Sequence, residues 1–229
     1  MRGEIVALHD HNESRTGAWL IDRALAGETI VVVSDAGMPL VSDPGYRLVA
    51  LAIEAGVDLS VLPGPSAPLA ALALSGLPTD RFAFEGFLPR KEGERVVALT
   101  ALANEERTLI FFEAPHRLAA TLASMVAVWG TARRASVSRE ITKTFEETRR
   151  GALAELAAWA AETDVRGEIV VVVAGRPREA PPLESLVAEV LRRAEEGERA
   201  KDAVADLAAT FGVAQRDLYA AVVEARASR

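Results

Sequence analysis

The sequence has 229 residues and no cysteine; half of the residues are apolar, 26% are charged and 5% are aromatic. That length supports a buried core in one or two domains, and it excludes a disulfide-stapled miniprotein, a cysteine-based zinc site and a thiol nucleophile. With 26 Lys plus Arg against 33 Asp plus Glu, a formal charge of −7 and a pI near 5.2, the chain is not a uniformly basic nucleic-acid binder. No apolar run approaches the roughly 18 residues of a membrane span, and the opening MRGEIVALHDHNE has no apolar signal core, so the chain reads as cytoplasmic, with no membrane partner.

In chain order, Glu4 to Leu8 reads as a short strand and Ser14 to Ala26 as a helix, with Trp19, Leu20, Ala24 and Leu25 at helical spacing. Thr29 to Val33 (TIVVV) is a β-branched run suited to a sheet buried on both faces. A Gly/Pro/Asp-rich loop from Ser34 to Gly45 leads to a helix over Tyr46 to Ala55. Asp58 to Leu62 is a further strand, followed by the Pro63-Gly64-Pro65 break and a helix over Ser66 to Leu74. This alternation predicts an α/β unit with parallel pairing.

The pattern changes at Ser75 to Asp80, which reads as a domain boundary. Strands are predicted over Phe82 to Phe87, Thr108 to Phe112, Ala135 to Glu140, Phe145 to Arg149 and Glu168 to Ala174. Helices are predicted over Glu92 to Asn104, Leu118 to Val128 and Leu153 to Ala161. The mixture of hairpin and crossover connections predicts a mixed sheet. Arg176 to Pro182 is a linker by composition. Helices follow over Leu183 to Ala194, Arg199 to Phe211 and Gln215 to Ala227, the last two joined through Gly212 like a helix-turn-helix or a packed helical hairpin. From Arg192 onward there are seven basic and seven acidic side chains, a balance that argues against a DNA-reading helix. The expected segments are therefore 1–78, 79–176 and 177–229.

Four stretches carry chemistry. Ser34-Asp35-Ala36-Gly37-Met38-Pro39, continuing to Ser42-Asp43-Pro44-Gly45, follows a strand, where open α/β sheets bind ligands. Its small residues permit close approach to the backbone, although a tight turn with capping aspartates explains the same composition. Pro63-Gly64-Pro65-Ser66-Ala67 also follows a strand, and Ser66 is well placed to cap the next helix. Glu113-Ala114-Pro115-His116-Arg117 groups a carboxylate, an imidazole and a guanidinium, either as a polar site with a general base or as an exposed helix start. Arg139-Glu140-Ile141-Thr142-Lys143 lies in the most basic window, Arg133 to Arg150, with six basic and three acidic residues. That window suits phosphate or is simply a solvated face. Phe82 to Arg95 sets three Phe beside Arg90, Lys91 and Arg95, as on an RNA surface, although Phe82 and Phe84 also suit a core.

Taken in order, the blocks HDHNE (His9 to Glu13), VSDAGMPLVSDPGYRLV (Val33 to Val49), LPGPSA (Leu62 to Ala67), GLPTDRFAFEGFLPRK (Gly76 to Lys91), RTLIFFEAPHR (Arg107 to Arg117), SREITKTFEE (Ser138 to Glu147) and GEIVVVV (Gly167 to Val173) resemble the tetrapyrrole methylase-like superfamily of S-adenosylmethionine-dependent methyltransferases. More narrowly they resemble its 16S rRNA (cytidine 2′-O)-methyltransferase branch. The resemblance implies two α/β domains with the cofactor cleft between them, a small C-terminal helical segment, and a homodimer acting on 16S rRNA within the small ribosomal subunit at a decoding-centre cytidine. It implies that S-adenosyl-L-methionine is lined by Asp35, Gly37, Met38, Pro39, Val41, Ser66 and Ala67. It places Glu113, His116, Glu140 and Lys143 as catalytic candidates, and Arg90, Lys91, Arg117 and Arg139 on the substrate side.

The chemistry agrees with these residue types. The sulfonium already activates the methyl group, so alignment of a ribose hydroxyl is the main task; a base or polarising cation assists, and no metal is required. An acidic chain still binds RNA if its positive charge is concentrated on one face. The family's opening strand, Pro-Ile-Gly-Asn type loop, helix and Glu-Asp-Thr-Arg block have no counterpart in these residues, so weak cofactor binding is expected of this chain, since a sheet short of a central strand exposes its backbone edges. A small-molecule, tetrapyrrole-type methylase and a non-catalytic RNA-binding remnant are the alternative functions.

Overall fold

The computed structural model describes residues 4–9, 12–34, 37–177 and 181–227. Residues 1–175 form one compact unit and residues 176–229 a second.

The first unit is organised by a five-stranded sheet: β1 (Phe82–Phe87), β2 (Thr108–Glu113), β3 (Arg134–Arg139), β4 (Glu147–Ala152) and β5 (Ile169–Val173), in the spatial order β1-β2-β5-β3-β4. β1 and β2 are parallel, as their crossover through helix α4 (Glu92–Ala101) requires. The other pairings are antiparallel, so the sheet is mixed as expected. The run IVVVV of β5 is buried at every position because both faces are covered. Ile169, Val171 and Val173 pack with Leu109, Phe111, Ala135 and Val137 against α4, α5 (Leu118–Trp129) and α6 (Leu153–Glu162). On the other face, Val170, Val172 and Ile110 meet Ala71 and Leu72 of α3 (Ala67–Ser75). Each such fully buried aliphatic side chain contributes about 1.5–3 kcal/mol.

The N-terminal stretch carries the expected helices, α1 (Glu13–Leu25) and α2 (Tyr46–Glu54), packed together through Leu20, Ile21, Leu48 and Ala52. The three strands expected there differ from expectation. Residues 4–9, 28–34 and 57–66 have no strand ladder among the described residues. β-branched residues favour extension, but an extended run becomes a strand only when a neighbouring chain takes its N–H and C=O groups at about 4.8 Å. Here one face is covered and the backbone edges are not. Leu8, Ile30, Val32 and Val57 lie against the α1–α2 core, while the alternate residues Val31 and Val33 are 74% and 80% exposed.

The second unit holds α7 (Leu183–Glu195), α8 (Ala200–Phe211) and α9 (Gln215–Ala227) around Leu186, Val190, Val204, Leu207, Leu218 and Val222. All three helices touch one another, so the α8–α9 pair is part of a three-helix unit. Arg193 of α7 donates to Asp206 of α8 at 2.9 Å. Among the described residues of the chain, no helix is long and apolar enough to cross a membrane.

Candidate active site

The strand register brings two of the four chemistry-bearing stretches, 113–117 and 139–143, to one end of the sheet, together with the LPRK segment that follows β1. Phe87 of β1 stands beside Phe112 of β2, Glu113 beside Ile169 of β5, Ile169 beside Arg139 of β3, and Arg139 beside Glu147 of β4. The loops 88–91, 114–117, 140–146 and 167–168 therefore leave the sheet together. The 34–45 stretch reaches the same region from the N-terminal side, and the 63–67 stretch lies beside it. A Cβ at Gly86, in the irregularity of β1, would lie 3.7 Å from Ser42 Oγ, and one at Gly37 would lie 4.0 Å from the Pro65 carbonyl oxygen.

Backbone strain marks two of these loops. Among the described residues, the non-glycine positions with positive φ are Leu40 (71°), Ser42 (62°), Glu140 (50°) and Thr142 (68°). Such conformations cost about 1–3 kcal/mol each and persist where the surroundings enforce them, often at functional sites. All four lie in the 37–45 and 140–146 loops, a signal the residue types alone did not carry.

The first loop is held by Glu13, which sequence reasoning quoted only within a motif. Its carboxylate is buried, and Oε1 accepts from the backbone N–H groups of Gly45 (3.0 Å), Arg47 (2.9 Å) and Leu48 (3.4 Å), the first turn of α2. Asn12 closes the preceding turn, accepting from His9 N and donating to the Ala7 carbonyl, each at 2.9 Å. Within the loop, Met38 and Pro39 are half-buried, while Gly37 and Val41 are exposed; Asp35 lies outside the described residues. Ser66 occupies the cap position of α3, yet its hydroxyl makes no capping bond. Ala67 begins that helix and is exposed.

In the EAPHR block, Glu113 is 3% exposed. It accepts from its neighbour Ala114 N at 2.8 Å and from the Thr121 hydroxyl, and it pairs with Arg117 at 3.4 Å. Arg117 also donates to the carbonyls of Leu88 (2.8 Å) and Pro89 (3.0 Å). Arg95, buried rather than on an RNA-facing surface, donates to the Arg90 carbonyl at 3.3 Å and to Ser124 at 3.0 Å. Two guanidiniums thus fix three consecutive carbonyls of the LPRK loop, which leaves the Arg90 and Lys91 side chains exposed. His116 stands exposed in the short 3-10 turn Pro115–Arg117.

In the REITK block, Arg139 donates to Glu147 at 2.9 Å. Glu140 Oε1 accepts from Glu168 N (2.9 Å) and from Lys143 Nζ (3.0 Å), and Lys143 also reaches Glu168 at 3.1 Å. The Glu168 N–H bond, then the Lys143 ammonium, hold the Glu140 carboxyl below its ordinary range. Hydrogen bonds to Glu140 and then Glu168 hold Lys143 above its ordinary value, so it is a cation at neutral pH. Elsewhere, a groove of about 350 Å³ between α1 and α2, lined by Ala18, Tyr46, Arg47, Ala50, Leu51 and Glu54, contains none of the candidate side chains.

Residues 3–157 match the family described as Tetrapyrrole (Corrin/Porphyrin) Methylases. Over 225 residues, 98% of this chain and 78% of the relative, the sequence is 51% identical to the ribosomal RNA small subunit methyltransferase I of Mycobacterium tuberculosis (strain ATCC 25618 / H37Rv). The chain belongs to this methyltransferase family. Its relative of the same name in Halalkalibacterium halodurans is 43% identical over 222 residues, 94% of this chain and 76% of that one. The fold agrees at lower identity. Diphthine synthase superposes with a TM-score of 0.53 at 18% identity, covering 75% of this chain and 69% of that one. The uroporphyrin-III C-methyl transferase of Thermus thermophilus, complexed with S-adenyl homocysteine, gives 0.51 at 22% identity, covering 75% and 77%.

Methyl transfer from S-adenosyl-L-methionine is the chemistry of this methyltransferase family, and the two N-terminal loops suit such a donor. At Gly37, with φ of 77°, and at Gly64 the space where a side chain would stand is open to within 4 Å, so backbone amide and carbonyl groups can line a ligand directly. The uncapped Ser66 hydroxyl adds a polar group at the start of α3. Ammonium, carboxylate and ribose hydroxyls are groups that such a lining can hydrogen-bond.

Proposed function

We propose that this chain uses S-adenosyl-L-methionine to methylate the 2′-hydroxyl of a decoding-centre cytidine of 16S rRNA in the small ribosomal subunit, in the cytoplasm and as a homodimer. The observation that carries this reading is the convergence of basic and polar loops at one end of the sheet, next to the glycine-backed 37–45 loop. Sequence identity of 51% to a protein named as an rRNA small subunit methyltransferase supports the substrate class. Asp35, Gly37, Met38, Pro39, Val41, Ser66 and Ala67 would hold the cofactor, between the expected segments 1–78 and 79–176.

When bound, the cofactor supplies a methyl group already activated on sulfur. The protein's task is to hold the ribose oxygen in line with it and to manage one proton. Arg90, Lys91 and Arg139 suit phosphate, positioning the strand without reading its bases. Lys143, fixed as a cation, stabilises negative charge developing on the 2′-oxygen. Glu113 is committed to Ala114, Thr121 and Arg117, and Glu140 to Glu168 and Lys143, which favours the exposed His116 as the acceptor of the hydroxyl proton in this reading.

Small ribosomal subunits lacking the modification, incubated with this chain and methyl-labelled donor, are expected to yield 2′-O-methylcytidine on nucleoside mass spectrometry. No incorporation into RNA, with transfer to a porphyrinoid, would assign a small-molecule methylase instead. RNA binding without transfer would leave a binding module.

A further inference from the structure

The loop between β3 and β4 is fastened at more points than a connection of this length needs. Besides the Glu140–Lys143–Glu168 contacts, Glu140 N donates to the Glu168 carbonyl at 3.0 Å, Lys143 N to the Glu140 carbonyl at 2.9 Å and Glu146 N to the Lys143 carbonyl at 3.1 Å. Thr142 N donates to Glu146 Oε2 at 2.6 Å. Ile141 packs into the cluster containing Phe84 and Phe112. Two residues of the loop hold positive φ without being glycine. What this fixed loop presents is Phe145, with 70% of its surface exposed.

A phenyl ring in that position buries little in the fold, so packing does not account for it. Its neighbours are not apolar: Lys143 and Thr144 precede it, and both are exposed. At the opposite side of the same sheet end, Phe87 is a second half-exposed ring, buttressed by Phe112 at 5.5 Å between centroids. Isolated aromatic rings among cations fit unpaired nucleobases, which offer π-faces to the ring and phosphates to the cations. A ring on a loop already fixed loses little conformational freedom when a base lands on it.

We propose that Phe145 is a substrate-binding residue that stacks on an unpaired base of the RNA strand entering the site. This inference rests on the RNA-methylating reading above and deepens it. The test is equilibrium binding of the 229-residue chain to a fluorescein-labelled single-stranded RNA spanning the target cytidine. Phe145→Ala and Phe145→Leu are each expected to weaken binding by about 5- to 150-fold, the range measured for loss of one base–aromatic stack. Phe145→Trp is expected to restore affinity and to show saturable quenching of the new indole. The salt dependence should stay as in the wild type, since phosphate contacts set that slope.

Unchanged affinity in Phe145→Ala, with wild-type binding intact, overturns this assignment alone. So does equal weakening of Phe145→Leu and Phe145→Trp. A variant that changes sedimentation from dimer to monomer without changing RNA affinity per protomer places the ring in a subunit interface instead. Wild-type protein that binds neither this RNA nor small ribosomal subunits overturns both this assignment and the RNA reading it rests on.

Discussion

Gly167 and Glu140 share one small volume: a Cβ built on Gly167 would overlap Glu140 Cγ, Cδ and Oε1. Gly167 also has φ of 93°, where L side chains are strained. The absence of a side chain there lets the Glu140 carboxylate reach Glu168 N and Lys143 together. Gly167→Ala is therefore expected to destabilise the protein by about 1–3 kcal/mol, from backbone strain plus overpacking. It should also expose the Glu168 amide to fast hydrogen exchange. Urea unfolding and exchange measured by mass spectrometry or NMR check both; an unchanged midpoint with full Glu168 protection contradicts the account.

Glu113 is buried as a carboxylate beside Arg117, with Thr121 and Ala114 N completing its contacts. Removing one member of a buried pair strands the other charge. Glu113→Ala is expected to cost about 3–5 kcal/mol by that mechanism, seen as a large fall in the urea midpoint. Glu113→Gln, which keeps the size and one acceptor, should cost clearly less. Equal losses in the two variants would mean that the charge itself is not what holds Arg117 on the Leu88 and Pro89 carbonyls.

Much of this architecture is written locally. The EIVVVVA run reads as a two-sided strand because every residue is apolar, and β5 is buried throughout. The second hairpin strand is less legible: expected from Phe145, β4 starts at Glu147, because Phe145 belongs to the strained loop and not to the ladder. TIVVV announces extension, but whether Val31 and Val33 pair depends on a neighbour that composition does not specify. The EAPHR, REITK and LPRK stretches are legible as polar strand ends, and the register adds that they lie at one sheet end. What stayed hidden is long-range. Glu13 meets Gly45 and Leu48 across 32 and 35 positions, and Arg95 meets Ser124 across 29. Both are charged residues on helices, which read as solvated until the fold buries them.

Glu13 works as a remote cap, satisfying with one oxygen the orphan N–H groups that begin α2. Loss of an ordinary side-chain cap costs about 0.5–2 kcal/mol. Glu13→Ala is expected near the top of that range, since three backbone donors, two of them buried, lose their acceptor together. Protection of the Gly45, Arg47 and Leu48 amides against hydrogen exchange should fall with it. The same substitution should loosen the 37–45 loop, which makes slower exchange there an outcome incompatible with the capping role.

The Glu140–Lys143 tether has a defined pH window. Glu140 is held below its ordinary value of 4.5, first by the Glu168 N–H and then by Lys143. Its contribution is complete above that ordinary value and is lost as pH falls through the lowered folded value. Lys143 is held above its ordinary 10.5, first by Glu140 and then by Glu168. Its contribution is complete below 10.5 and is lost as pH rises through the raised folded value. The stability difference between wild type and Glu140→Gln is thus expected to stay flat from about pH 5 to 10 and to shrink on further acidification. Denaturant midpoints of the two proteins across that range test this, and a difference that changes between pH 6 and pH 8, on the order of a His titration, would point to another group.

Val31 and Val33 bear on cofactor affinity because the run that carries them leads directly into the 34–45 loop. Residues 57–66 lead in the same way into Ser66 and Ala67. Runs without ladder partners fluctuate, and affinity falls by the fraction of time that the loops spend in the binding geometry. Calorimetric titration of the 229-residue chain with S-adenosyl-L-methionine is expected to show binding weakened about tenfold or more relative to a protein with these runs paired. Amides of residues 29–33 and 58–62 should exchange without protection, unlike those of β2 and β5. Tight, stoichiometric binding together with protected amides in both runs would show that the loops are held firmly without a ladder behind them.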